Sequence, residues 1–148
     1  MTKVFINSLA VLTAVGTGLC ALPAHALELD EQLVCNTDAH TFIQALLDDQ
    51  YIDPKPMRVE ANSVNAFRPM RGRDLTAFGF RVYAILGYQR DDAIFRKGDG
   101  KAEADSIYGA VVSGPSESVR VRVQQAGSGA TVKQVLPFVL TAIVCSDG

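Results

Sequence analysis

Few side chains in this sequence are suited to chemistry, and their spacing fits no common catalytic device. Beyond residue 26 the chain holds one histidine, His40. A nucleophile–histidine–acid triad would have to use it with one of several serines, yet the sequence contains no G-x-S-x-G elbow. His40 therefore reads as a partly exposed residue in the first turns of a helix. A zinc site is poorly supplied, with one histidine and two cysteines that have another use. Asp91-Asp92 and the run containing Asp99, Glu103 and Asp105 offer oxygen ligands, but not in the register of a calcium-binding EF-hand. They read as solvated turns. Asp91 and Asp92 are also the candidates for a carboxylate acid–base pair, a device that needs two acids converging on a cleft. Gly98-Asp99-Gly100 lacks the G-x-x-x-x-G-K-[ST] frame of a phosphate loop. No catalytic residue, metal-ligand set or cofactor is assigned.

Charge clusters offer more. Arg68, Arg71 and Arg73 share one short stretch with Pro69 and Gly72, flanked by Phe67 and Met70. Guanidinium groups so grouped can hold carboxylates or phosphates bidentately. A second basic group, Arg96, Lys97 and Lys101, lies in a glycine-rich loop of the mobile kind that often reaches partners. These six residues form the candidate interaction surface. The partner they imply is another envelope or secreted macromolecule with acidic groups. The basic density and aromatic interleaving of a nucleic-acid binder are missing, so no nucleic-acid partner is expected.

Charge is also unevenly spread along the chain. The total is 14 Lys and Arg against 16 Asp and Glu, a net charge of −2. From Leu27 to Pro54 the chain carries Glu28, Asp30, Glu31, Asp38, Asp48, Asp49 and Asp53 but no Lys or Arg. An acidic helix beside a mildly basic sheet accounts for this, as does a polarised surface that steers a charged partner.

Residues 1–26 have the pattern of a cleaved export signal. Lys3 gives a positive start, Val4 to Leu22 is mostly apolar, and Ala24-His25-Ala26 is a small-x-small site, so cleavage after Ala26 is expected. The leader resembles a Sec-type signal and implies a periplasmic or secreted protein. Leu19 precedes Cys20, where a lipoprotein signal wants a small residue, so Cys20 is expected to leave with the leader. No later apolar segment is long enough to cross a bilayer, and no stable membrane span is expected after cleavage. The two remaining cysteines, Cys35 and Cys145, then pair most simply as one disulfide. In the chain-entropy picture, closing so long a loop stabilises the fold by roughly 4–5 kcal/mol at most.

The elements that must position these groups follow from periodicity. Ala39, Phe42, Ile43, Leu46 and Leu47 recur at helical spacing, predicting a helix over 37–49 capped by Asn36 or Thr37. Met57 to Phe67 alternates as a strand, with a parity change that predicts a bulge or bend near Ser63. Phe78 to Tyr88 is apolar at every even position and reads as the central strand, its even face covered by the helix. Ala93 to Phe95 begins a short strand, Ile107 to Val112 forms another, and Val119, Val121 and Val123 alternate with Arg120 and Arg122 as a half-exposed one. Val135 to Cys145 reads as a buried final strand with Pro137 near its beginning. The expected architecture is a single α+β domain over 27–148: one N-terminal helix packed on an antiparallel sheet of about five or six strands, with one disulfide.

The functional expectation is a small exported, non-enzymatic domain that binds a macromolecule, as an inhibitor or envelope accessory protein. The alternatives are a small-ligand binder for an anion or lipid, and a carboxylate-dependent hydrolase.

Overall fold

The computed structural model describes residue 18 and residues 26–147. The leader reading, including Cys20, falls almost wholly outside the described residues. In chain order the elements are β1 (Leu27–Glu28), a 3-10 turn (Gln32–Val34), α1 (Ala39–Asp48), β2 (Arg58–Val59), β3 (Asn65–Phe67), β4 (Leu75–Ala77), β5 (Phe80–Gln89), β6 (Ser106–Ser113), α2 (Ser116–Gln125), β7 (Thr131–Leu136) and β8 (Leu140–Ser146). The fold is α+β, but the sheet has eight strands in the order β1-β4-β5-β6-β8-β7, with β2 and β3 attached beside β5. It is mixed, because β1 runs parallel to β4 while the other pairs are antiparallel. Two helices pack on it instead of one, and α1 follows a strand and a 3-10 turn instead of opening the domain.

Helix α1 shows how distant segments complete a local element. The first backbone N–H groups of a helix have no partner within it. Here Ala39 N donates to Ser106 Oγ (2.9 Å), His40 N to Gln89 Oε1 (2.9 Å) and Thr41 N to Asp38 Oδ1 (2.7 Å). The cap is Asp38, not Asn36 or Thr37, and its carboxyl is held below the usual carboxylate range chiefly by the Thr41 N–H. The ends of β5 and β6 thus fix where the helix starts. Its stripe of Phe42, Ile43 and Leu46 is buried in the main core with Ile85, Tyr108, Val112 and Ile143. The disulfide is present between Cys35 and Cys145, with Cα atoms 5.2 Å apart. It ties the end of the 3-10 turn to β8.

The central strand begins two residues later than its apolar pattern predicts. Phe78 and Gly79 both have positive φ, 51° and 85°, and form the tight turn between β4 and β5. Such primed turns match the twist of the flanking strands. Phe78 tolerates the conformation while buried, its N–H bound to Asp30 Oδ1 at 2.7 Å. A bulge at Tyr83 then reverses the strand's parity, since Val82 pairs with Val112 but Ala84 already pairs with Val111. Phe80 and Val82 face the helices before it, and Ile85 after it. Gly87 completes that helix-facing set, because a Cβ built there would meet Ile43 Cγ1 at 2.6 Å. The even-face expectation therefore fails at Ala84 and Leu86, while Tyr88 is again buried in the main core. Ala84 and Leu86 instead lie with Val111, Ala142, Leu140 and Val144 in a second cluster on the helix-free face.

Three other strand expectations are corrected. Val119 and Val123 are buried in helix α2, while Val121 is 50% exposed. The spacing i, i+4 also places two residues on one helical face, and Ser116 to Glu117 after Pro115 is an adequate helix start. Residues 135–145 form a hairpin of β7 and β8, and β7 is largely exposed. Ala93 to Phe95 is a turn that buries only Phe95, with Phe95 N bound to Asp92 O at 3.2 Å. Between β2 and β3, Ser63 takes φ 70° in a tight turn, where a bulge or bend was expected.

Candidate functional site

The arginine segment does not hang free. It bridges β3 and β4, which pair with different halves of β5, so residues 68–74 bow outward beside the bulge at Tyr83. Its first part is fixed to the chain after α1: Asp53 N donates to Arg68 O and Met70 N to Tyr51 O, both at 2.9 Å. Arg73 places its guanidinium 4.9 Å from the centre of the Tyr51 ring, a cation–π contact that restricts it without neutralising it.

The opposite wall is β5. Between loop and strand lies a cleft of about 550 Å³ lined by Arg71, Arg73, Asp74, Arg81, Tyr83 and Ser113, among others. It is larger than the cleft of about 410 Å³ that lies beside α1. Three guanidinium groups face one carboxylate, that of Asp74. Among the described residues the arginine–carboxylate pairs are Arg58–Glu60, Arg90–Asp105 and Arg120–Glu117, so Arg71, Arg73 and Arg81 carry no ion-pair partner. A concave surface with unneutralised guanidinium groups, a phenol and a hydroxyl is built to accept carboxylate or phosphate oxygens. Arg71 and Arg73 of the predicted surface are brought together there. Arg68, also predicted, is exposed but does not line the cleft. Arg81, Tyr83 and Ser113 are additions. Arg81 and Tyr83 were visible only as the mixed face of the central strand.

The second basic group is separate. Lys97 and Lys101 line a shallow cleft of about 430 Å³ with Tyr88, Arg90 and Asp91 at the far end of β5, while Arg96 does not. From Arg81 to Tyr88 the strand covers roughly 23 Å, so the two groups do not form one site. The loop is also tethered, contrary to its mobile reading. Fully buried Asn65 accepts from Arg96 N at 3.0 Å and donates to Arg96 O at 2.8 Å. Gly98 N donates to Ser63 Oγ at 2.9 Å, and Gly100 N to Ala61 O at 2.8 Å. An asparagine inside a short strand gave no sequence signal for this clamp.

Two of the acidic candidates, Asp92 and Asp105, have structural occupations. Asp92 Oδ2 lies 2.5 Å from His40 Nδ1, and its Oδ1 accepts from Ile94 N at 2.9 Å. Asp105 pairs with Arg90 at 2.6 Å. Among the described residues no group of three or more His, Cys, Asp or Glu side chains is placed to hold a metal ion.

Comparison with protein-family models, with curated proteins and with solved structures returned no match to this chain. The site is therefore read from its own geometry.

Proposed function

We propose that this protein is a non-enzymatic binding protein of an oxidising, exported compartment, and that the cleft between residues 69–75 and β5 recognises acidic groups on a macromolecular partner. The observation that carries this reading is the convergence of Arg71, Arg73 and Arg81 on one cleft without ion-pair partners. The Cys35–Cys145 bridge is consistent with the compartment, since disulfides persist where the medium is oxidising. The alternative of an exported carboxylate-dependent hydrolase is less well supported, because both Asp92 oxygens already have partners.

The test is a binding titration with soluble acidic probes, an oligoglutamate peptide and a short polyphosphate, against the protein and its Arg71→Gln/Arg73→Gln/Arg81→Gln variant. Binding should weaken as salt shortens the screening length from about 10 Å at 0.1 M to 3 Å at 1 M. The triple variant should bind at least about tenfold more weakly while still unfolding cooperatively, destabilised by no more than about 0.5–1 kcal/mol from loss of the Arg73–Tyr51 contact. Equal affinity in the two proteins rules out this cleft. Strong binding lost only on changing Lys97 and Lys101 moves the site to the far end of β5.

A further inference from the structure

The hairpin that joins β7 to β8 ends in an apolar tip. Val135, Leu136, Phe138 and Val139 are all exposed around Pro137, and Phe138 is 86% exposed. The tip is rigidly built. Val139 N donates to Leu136 O at 3.1 Å, closing a four-residue turn with Pro137 and Phe138 at its centre. Gly114 N donates to Val139 O at 2.9 Å, and Thr141 Oγ1 donates to Gly114 O at 2.8 Å, which fastens the turn to the end of β6. Phe138 has φ 63°, a conformation that glycine adopts freely and a bulky residue does not. An aromatic ring is thus held in water on a strained, fixed turn, although neither burial nor local backbone preference favours it there.

The tip adjoins the arginine cleft. Ser113, which lines the cleft, pairs with Leu140, and Leu140 pairs with Leu136. Adjacent strands are about 4.8 Å apart, so Leu136 stands roughly 10 Å from Ser113. Lys133, also exposed, pairs with Ala142 of the helix-free face. One end of the sheet therefore presents a protruding apolar tip beside basic side chains without acidic partners.

We infer that this end of the molecule docks on an anionic lipid surface, with Phe138 and its apolar neighbours entering the interfacial layer and Arg71, Arg73 and Arg81 meeting lipid phosphates. The inference rests on the reading of the cleft as a site for acidic groups, and places those groups on a lipid surface instead of a macromolecule. A bilayer suits both halves. It accepts a convex apolar projection without a matching pocket, and its anionic headgroups complement unpaired guanidinium groups. Among the described residues no helix is long and apolar enough to cross a membrane.

The chain contains no Trp, so Phe138→Trp places a single indole reporter at the tip. The protein is taken as recovered from the exporting cell, its N-terminus fixed by mass. It is mixed with phosphatidylcholine vesicles with or without phosphatidylglycerol. Phe138→Trp should shift its emission to the blue on phosphatidylglycerol vesicles, and far less on phosphatidylcholine alone. In co-sedimentation Phe138→Ala should lower partitioning by about tenfold, and the triple arginine variant should abolish the preference for the anionic lipid. An unshifted indole, or partitioning that Phe138→Ala leaves unchanged, overturns the inference. If vesicles are not bound while oligoglutamate or polyphosphate still binds through the arginines, the lipid inference falls and the cleft reading stands. If neither binds, both fall. Self-association lost in Phe138→Ala, without vesicle binding, would assign the tip to a second copy of the chain and equally overturn the inference.

Discussion

The carboxylate of Asp92 lies 2.5 Å from Nδ1 of His40, joining the first turn of α1 to the turn that follows β5. The histidine side chain is 47% exposed and the aspartate 13%, so water screens the pair in part. A double-mutant cycle with His40→Ala and Asp92→Asn should give a coupling of about 0.5 kcal/mol, in the range of exposed pairs. Asp92→Ala should cost about 1 kcal/mol more than Asp92→Asn, because it also removes the acceptor for Ile94 N. Urea unfolding of the four proteins of the cycle and of Asp92→Ala measures both terms. A coupling of zero at low salt would show that the contact contributes geometry and no stability.

Asp38 offers a pH prediction. Its carboxylate accepts the Thr41 N–H, which lowers its pKa in the folded state. A depressed folded pKa stabilises the fold at pH values above the unfolded pKa of about 3.9. That contribution is lost as pH falls through the folded value. Asp38→Ala should therefore lower stability at neutral pH by about 1 kcal/mol, the usual value of an N-cap. The difference from wild type should shrink below about pH 4. Thermal unfolding of both proteins from neutral pH to pH 3 tests this. A difference independent of pH would mean that the cap acts without its charge.

At Gly87, β5 leaves no room for a side chain beneath Ile43 of α1. A methyl group there would meet Ile43 Cγ1 at 2.6 Å and Phe95 Cε1 at 2.9 Å. Overpacking costs about 1–3 kcal/mol, against a gain of about 0.4–1 kcal/mol from a stiffer unfolded chain. Gly87→Ala should therefore destabilise by about 1–2 kcal/mol. Adding Ile43→Val should recover part of that loss, a non-additivity expected of residues in contact. If Ile43→Val makes the Gly87→Ala protein worse by its full single-variant effect, the helix has moved as a body.

The same neighbourhood explains what the sequence revealed. Helix α1 was legible because its buried residues follow one helical period, and strand β6 because it is a short continuous apolar run, buried on both faces from Tyr108 to Val112. The disulfide was legible because Cys35 and Cys145 are the two cysteines beyond residue 26. Strand β5 was legible as a strand but not in its facing, because one extra residue at Tyr83 turns Ala84 and Leu86 to the helix-free face and Ile85 to the helices. Helix α2 was misread because Val119 and Val123 satisfy a period of two as well as an i, i+4 spacing, and the position between them decides only once its exposure is known. Of the cleft, Arg71 and Arg73 were visible as neighbours in sequence. Arg81 joins them only because β4 folds back on β5 through the turn at Phe78 and Gly79. The β7–β8 hairpin was hidden because its turn carries phenylalanine where glycine or asparagine would have signalled a positive φ.

That phenylalanine allows stability and binding to be separated. At φ 63° and 86% exposure, Phe138 bears backbone strain and buries little. Phe138→Gly relieves the strain, worth about 1–2 kcal/mol per residue in the left-handed region. Glycine also gives the unfolded chain more freedom, which takes back about 0.4–1 kcal/mol. The variant should therefore be at least as stable as wild type, with a melting temperature raised by up to about 4 °C. It should at the same time lose vesicle binding as fully as Phe138→Ala does. Calorimetry and co-sedimentation on one preparation test the pair of outcomes. A clear fall in melting temperature would show that the ring packs on the hairpin and is not free to be buried in a lipid surface.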